Sequence, residues 1–206
     1  MTGEELYARQ ALVQRLLDWA CDGERGVSED HPHYVDVTEG RDVGAMRAKY
    51  SSCGDLAHWL LYRLGCRAPW VNRKEHRGWK VGANVSLLAT APQSVRQLPV
   101  PGSRFEPGDV LIVWNDTQGR DAHVMVCYEH RPDLARLVVS EYGQPGGHTR
   151  KRLMVAQNGL LWIGTRKLQR WLPLHLVLAN TETAGVSLPW AADTDPAPAP
   201  EGEDDA

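Results

Sequence analysis

EPGDVLIVWNDTQGRDAHVMVCYEHRPDLARLVVSEY, residues 106–142, holds three β-prone runs in close succession: VLIVWN (110–115), AHVMVCYE (122–129) and RLVVSEY (136–142). Each run is rich in β-branched residues and bounded by turn formers, so consecutive antiparallel strands are expected. RKRLMVA (150–156), LLWIGTR (160–166) and RWLPLHLVLA (170–179) continue the pattern as further strands. The first half of the chain has a different period. EELYARQALVQRLLDWA (4–20) sets Leu6, Val13, Leu16, Leu17 and Ala20 on one helical stripe, and residues 53–64 predict a second helix closed by Gly65. Between them, residues 21–44 read as a long polar loop. Residues 66–108, interrupted by Pro69, Gly78, Gly82, Pro92, Pro99 and Pro101, read as an irregular excursion. Helices first and a strand meander second is the α+β layout, with the helices packed on one side of a curled antiparallel sheet.

At 206 residues, 42% apolar and 24% charged, the chain has the composition of one globular domain, and disordered or fibrous classes are excluded for most of it. The exception is the C-terminus, where a Pro-, Ala- and acid-rich segment has almost nothing to bury. The expected division is a single domain over 1–185 and a disordered acidic tail over 186–206. That tail carries six acids and no base, which leaves 23 basic against 20 acidic side chains in residues 1–185, a net +3. So weak a surplus gives no argument for a nucleic-acid partner. No apolar run approaches the roughly 18 residues of a membrane span, and the acidic start MTGEELYARQ is unlike a signal peptide. Cytoplasmic synthesis and no membrane partner are therefore expected. The four cysteines, Cys21, Cys53, Cys66 and Cys127, show no CxxC spacing, so neither a disulfide framework nor a zinc cluster is expected.

One of these thiols occupies a chemically distinctive position. In SSCGDLAHWLLYRLG (51–65), Ser52 and Asp55 fit a capping box that starts the helix at Cys53. Cys53, Ala57, Leu60 and Leu64 then centre the apolar face, flanked by Leu56 and Leu61, while Gly54, Asp55, His58 and Tyr62 lie opposite. Unpaired N–H groups in a first helical turn favour thiolate. The helix alone allows two readings, a nucleophile or a small packed residue. A partner base decides between them.

His123 is the candidate partner, although a lone histidine in such a run is also an ordinary satisfied core residue. Strand alternation sets it on one face with Met125 and Cys127. A five-residue hairpin loop over 130–134 would pair residue 129 with 135, and the same count places His123 directly opposite Glu141. Directly opposed residues face the same way, close enough for a carboxylate to orient an imidazole. Cys127 lies four residues, ~13 Å, from His123 along the strand and is out of its reach. Cys21 and Cys66 follow helix C-termini, where the dipole disfavours thiolate.

The order of SCGDLAHWLLYRLG, EPGDVLIVWN, DAHVMVCYEH and VVSEYGQPGG resembles the NlpC/P60 and CHAP superfamily of papain-like cysteine hydrolases over residues 50–147. The resemblance implies a papain-like fold and hydrolysis of amide bonds in peptidoglycan, without metal or cofactor. Carried over residue by residue, it implies Cys53 as nucleophile, His123 as general base and Glu141 as the acid that orients the histidine. Two departures stand out. The Asp-Cys-Ser-Gly signature of NlpC/P60 is Ser-Cys-Gly-Asp here, and Gly143 stands where CHAP members often carry asparagine, which leaves Gln144 as another third group. A wall substrate for a chain without a signal peptide implies delivery by lysis, a phage particle or a secretion apparatus. Two alternatives stay open: an intracellular amidase, deamidase or acyltransferase of the same fold, and a catalytically silent module that binds wall fragments or protein.

Other segments carry weaker signals. HPHYVD (31–36) offers two histidines with nearby acids but no third spaced metal ligand. Tyr34 or Tyr50 could donate to an oxyanion, Trp79 and Tyr142 could line a groove, and the basic run GGHTRKR (146–152) could meet an anionic polymer. Each is also an ordinary core, surface or strand residue.

Overall fold

The computed structural model of the chain describes residues 2–28, 31–38, 53–68, 70–71, 88, 91–115, 120–131, 134–141, 148–157, 160–164 and 166–190. The architecture is α+β: among the described residues there are four α-helices and a curled antiparallel sheet, a half-barrel. Helix α1 (Gly3–Cys21) begins where Thr2 and Glu5 form a reciprocal capping box, the Glu5 carboxylate accepting the Thr2 N–H at 2.7 Å. Val13, Leu16, Leu17 and Ala20 are buried, as their spacing predicts.

The segment expected to be a loop over 21–44 contains structure. Strand β1 (Val27–Ser28) is followed by α2 (Pro32–Thr38), which opens on a proline whose missing N–H costs nothing at that position. Tyr34 and Val37, three residues apart, are both fully buried. That spacing, spread over a single helical turn or two, is too short a signal to outweigh the polar residues around it.

Helix α3 (Cys53–Arg63) buries Leu56, Ala57, Leu60, Leu61 and, just past its end, Leu64. The polar face expected on it is not exposed. Asp55 is 1% and His58 3% accessible, because α1 and α2 cover the side turned away from the sheet. Trp19 of α1 stacks on the buried Trp59 of α3 with centroids 5.7 Å apart. Ser52, the expected cap, lies outside the described residues. The far end of α3 is closed by Gly65, in the left-handed region with φ 89°. There the Arg9 guanidinium of α1 donates to the Leu64 and Ala184 carbonyls, and Ala184 N–H donates to the Gly65 carbonyl at 2.7 Å.

Strands β2 (Val110–Asn115), β3 (Arg120–His130), β4 (Leu134–Glu141), β5 (His148–Gln157), β6 (Leu160–Ile163) and β7 (Arg166–Leu172) form the sheet in the order β1-β5-β4-β3-β2-β7-β6, and β5 also pairs with β6. Val110 to Val113 of β2 are all fully buried, so both faces of this strand are covered. Val110, Ile112, Val124 and Val126 join the helices in one core. Leu111, Val113, Met125, Cys127, Met154, Leu168 and Trp171 form a second core on the inner face.

The run at 170–179 divides instead of continuing as one strand. β7 ends at Leu172, Pro173 cannot donate to a ladder, and α4 (Leu174–Ala179) follows with Leu174, Val177 and Leu178 buried at helical spacing. The buried Asp109 joins the pieces. One carboxylate oxygen accepts the Leu174 N–H at 2.8 Å and the other the Glu106 N–H at 3.0 Å. Segment 66–108 contributes the bridges Cys66↔Thr183 and Gln97↔Trp171 and a 3-10 turn, Gln93–Val95.

Beyond residue 185, Ser187 N–H donates to the Arg63 carbonyl at 2.9 Å, and Arg15 lies over the Trp190 ring at 5.0 Å. The remaining residues of the expected tail, 191–206, lie outside the described residues. No described helix is long and apolar enough to cross a membrane.

A Cβ on Gly65 would run into the Ala184 carbonyl and the Arg9 guanidinium. Gly65→Ala therefore lowers stability by about 3 kcal/mol in urea unfolding, backbone strain and overlap combined. A second effect concerns pH. Burial pushes the Asp109 carboxyl up to about 7 despite its two N–H donors. The folded state then keeps a proton that the unfolded chain releases near pH 4, so this group's contribution to stability falls as pH rises from about 4 to 7. The melting temperature of the wild type, taken relative to Asp109→Asn, falls across that window and levels off above it.

Candidate active site

Helix α3, opening at Cys53, packs against β3 and β4. These adjacent strands carry the other two residues singled out from the sequence, His123 near the start of β3 and Glu141 at the end of β4. The ladder between them pairs Met125 with Val139, Val126 with Val138 and Cys127 with Leu137. The ladder ends at Met125 and Val139; the same count carried two residues beyond it would align His123 with Glu141.

Nearer the turn the register differs from the expected one. Glu129 pairs with Arg136 and His130 with Ala135, and a bulge between Cys127 and Glu129 absorbs the one-residue difference. The hairpin loop is thus shorter than the 130–134 loop expected from the sequence. The offset at the His123 end nevertheless equals the expected one.

His123 is 8% accessible and pairs across β2 with Val113. Immediately before it the register slips, since Trp114 pairs with Asp121, and Ala122 is the extra residue of a bulge. Alternation from Val124 and Val126, which lie in the helix-side core, turns His123 with Met125 and Cys127 toward the inner face. Helix α3 lies on the other face. A thiol at its start and the imidazole can meet only around the rim of β3, where the bulge re-aims the strand. The side chains of Cys53 and Glu141 are not among those described.

The other three thiols are poor nucleophiles. Burial pushes the Cys21 thiol up to about 12 and raises those of Cys127 and Cys66. For Cys127, the nearby Asp109 carboxylate adds to the effect. Cys66 shares a hydrogen bond with the Thr181 hydroxyl at 3.2 Å, next to the bridge that holds the C-terminal segment. Cys53 thus remains the thiol placed in the first turn of a helix.

Residues outside the sequence-derived set also enter this region. His148 of β5 pairs with Glu141. Alternation back from Met154 through Arg152 and Arg150 was the signal for it, hidden within a run read only as basic. Asp55 and His58 are buried polar groups one turn into α3, and the covering helix that buries them was the part not foreseen. Tyr34 is fully buried in α2. Tyr50, Trp79, Tyr142, Gly143 and Gln144 lie outside the described residues.

In the HPHYVD segment His31 Nδ1 accepts the His33 N–H at 3.1 Å, and His33 stacks on Trp19 at 3.9 Å. Among the described residues no group of three histidine, cysteine or acidic side chains is gathered for a metal. Comparison of the chain with protein-family models, curated proteins and solved structures finds no match.

Thiol burial gives a direct measurement. Under native conditions near neutral pH, iodoacetamide leaves Cys21, Cys66 and Cys127 unlabelled for hours, and all three react within minutes in denaturant. Mass spectrometry of labelled peptides reads the difference.

Proposed function

We propose that the chain is a papain-like cysteine hydrolase of the NlpC/P60 and CHAP type that cleaves amide bonds of peptidoglycan. The observation that supports this reading is the packing of α3, with Cys53 at its start, across β3 and β4, whose register from Met125 to Cys127 has the offset that, continued, would set His123 opposite Glu141. The chemistry is acyl transfer and uses no metal or cofactor. His123 takes the Cys53 proton and the thiolate attacks the amide carbonyl carbon. Backbone N–H groups in the first turn of α3 receive the oxyanion. The C–N bond then breaks as His123 protonates the leaving amine. Water, deprotonated by His123, releases the acyl group and restores the thiol. Glu141 orients the imidazole and stabilises its charged form. With no other substrate indicated, an intracellular amidase, deamidase or acyltransferase keeps the same residues and changes only the acyl donor or acceptor.

A second reading follows from a specific observation. His123 lies on the face of β3 away from α3 and is largely buried. An imidazole held there permanently belongs to a silent module that binds wall fragments or protein.

Purified protein incubated with peptidoglycan separates these readings. Under the first, new amines or shortened stem peptides appear, and Cys53→Ser or His123→Ala lowers their rate by a factor of about 10³ or more while the fold melts as in the wild type. Wall binding without any released fragment, in wild type and variants alike, selects the silent module.

A further inference from the structure

A cavity of about 330 Å³ opens at the other end of the sheet from His123. It lies beside His130, seven residues along β3 and so about 23 Å away at strand rise. Its floor is apolar: Phe105, Leu161 and Leu168 belong to the inner core, and Phe105 meets the Trp171 ring edge-on at 4.7 Å. Its rim carries Arg104, His130 and Arg131, and no acid is among its lining residues.

The rim is built rather than improvised. Ser103 N–H donates to the Val100 carbonyl at 2.9 Å, and Val100 N–H donates to the Ser103 hydroxyl at 2.9 Å. With Pro101 second and Gly102 third at φ 84°, this is a type II turn, closed without any ligand. His130 is fixed as well. Its Nδ1 accepts the Phe105 N–H at 3.1 Å, and the two rings stand 5.1 Å apart.

A backbone donor aimed at Nδ1 requires a lone pair there, so the imidazole is neutral with its proton on Nε2. Burial, and then the Arg104 charge, hold its pKa below the ordinary histidine value. Glu129 occupies Arg131 at 2.9 Å. Arg104 has no ion-pair partner among the described residues.

We infer that this cavity binds a small monocarboxylate with an apolar body, its carboxylate on Arg104 and the Nε2–H of His130, its body on Phe105, Leu161 and Leu168. One open guanidinium and one neutral donor match a single negative charge, whereas a phosphate dianion would call for more. The volume is at the small end for ligand pockets and suits a fragment-sized acid. The site is independent of amide hydrolysis.

Calorimetric titration of the full chain with octanoate tests this, with octan-1-ol as the uncharged control. Octanoate saturates one site, octan-1-ol binds at least about tenfold more weakly, and Arg104→Ala weakens octanoate by about tenfold or more. Arg104 is exposed, so the variant folds, and Cys53→Ser binds octanoate as the wild type does. The inference is overturned if octanoate does not bind, if octan-1-ol binds equally well, or if Arg104→Ala leaves the affinity unchanged.

Discussion

The burial of α3 on all sides from residue 54 to 61 is the constraint on which the rest of the molecule depends. A helix with one apolar stripe needs a single partner, whereas α3 presents Leu56, Leu60 and Leu64 to the sheet and sets Asp55 and His58 in the interior as well. The sheet must curl to hold one side of it, and α1 and α2 must close the other. Stacking of Trp19 on Trp59 and the Arg9 guanidinium at the Leu64 carbonyl fix α1 against it at two heights. Removing a buried helix from water on every side contributes heavily to stability, on the order of 2 kcal/mol for each large apolar side chain fully buried.

The sheet in turn separates two apolar compartments. Alternation in β2 and β3 sends Ile112, Val124 and Val126 to the helices and Leu111, Met125 and Cys127 to the inner face. One end of β3 carries His123 beside the bulge at Ala122, and the other carries His130 above the cavity. His130 sits at the end of β3 and His123 beside its bulge, places where a polar ring can stay partly buried and still reach a partner.

Much of this was legible in the residues. Branched residues in alternation specified β2, β3 and β4, and the apolar stripes specified α1 and α3. The offset between β3 and β4 from Met125 to Cys127 also follows from the sequence, because an error at the turn is cancelled by a bulge at Tyr128. What escaped was structure whose signal is short or whose cause is distant. Helix α2 spans only two turns, and its Tyr34 and Val37 are outweighed by polar neighbours. The break at Pro173 depends on Asp109, 64 residues earlier, taking the Leu174 N–H. Burial of Asp55 and His58 depends on a cover that the helix's own pattern does not encode. His130 gains its role from Phe105, which no spacing rule connects to it.

Strand β5 gives the basic run at residues 150–152 a meaning unrelated to substrate. One side of β5 is paired with β4 along most of its length. On the other side β1 pairs at His148 and Thr149, and β6 pairs from Val155 to Gln157. Between these two ladders lies a stretch of open backbone edge, residues 150–154, and it reads Arg-Lys-Arg-Leu-Met. An open edge is a template for pairing with a second chain, and clustered positive charge repels an identical edge. Lys151 is held at Asp18 and Glu24, at 2.6 and 2.9 Å, which keeps a segment of α1 and its following turn alongside. The sheet thereby protects this stretch of its edge against intermolecular strand addition.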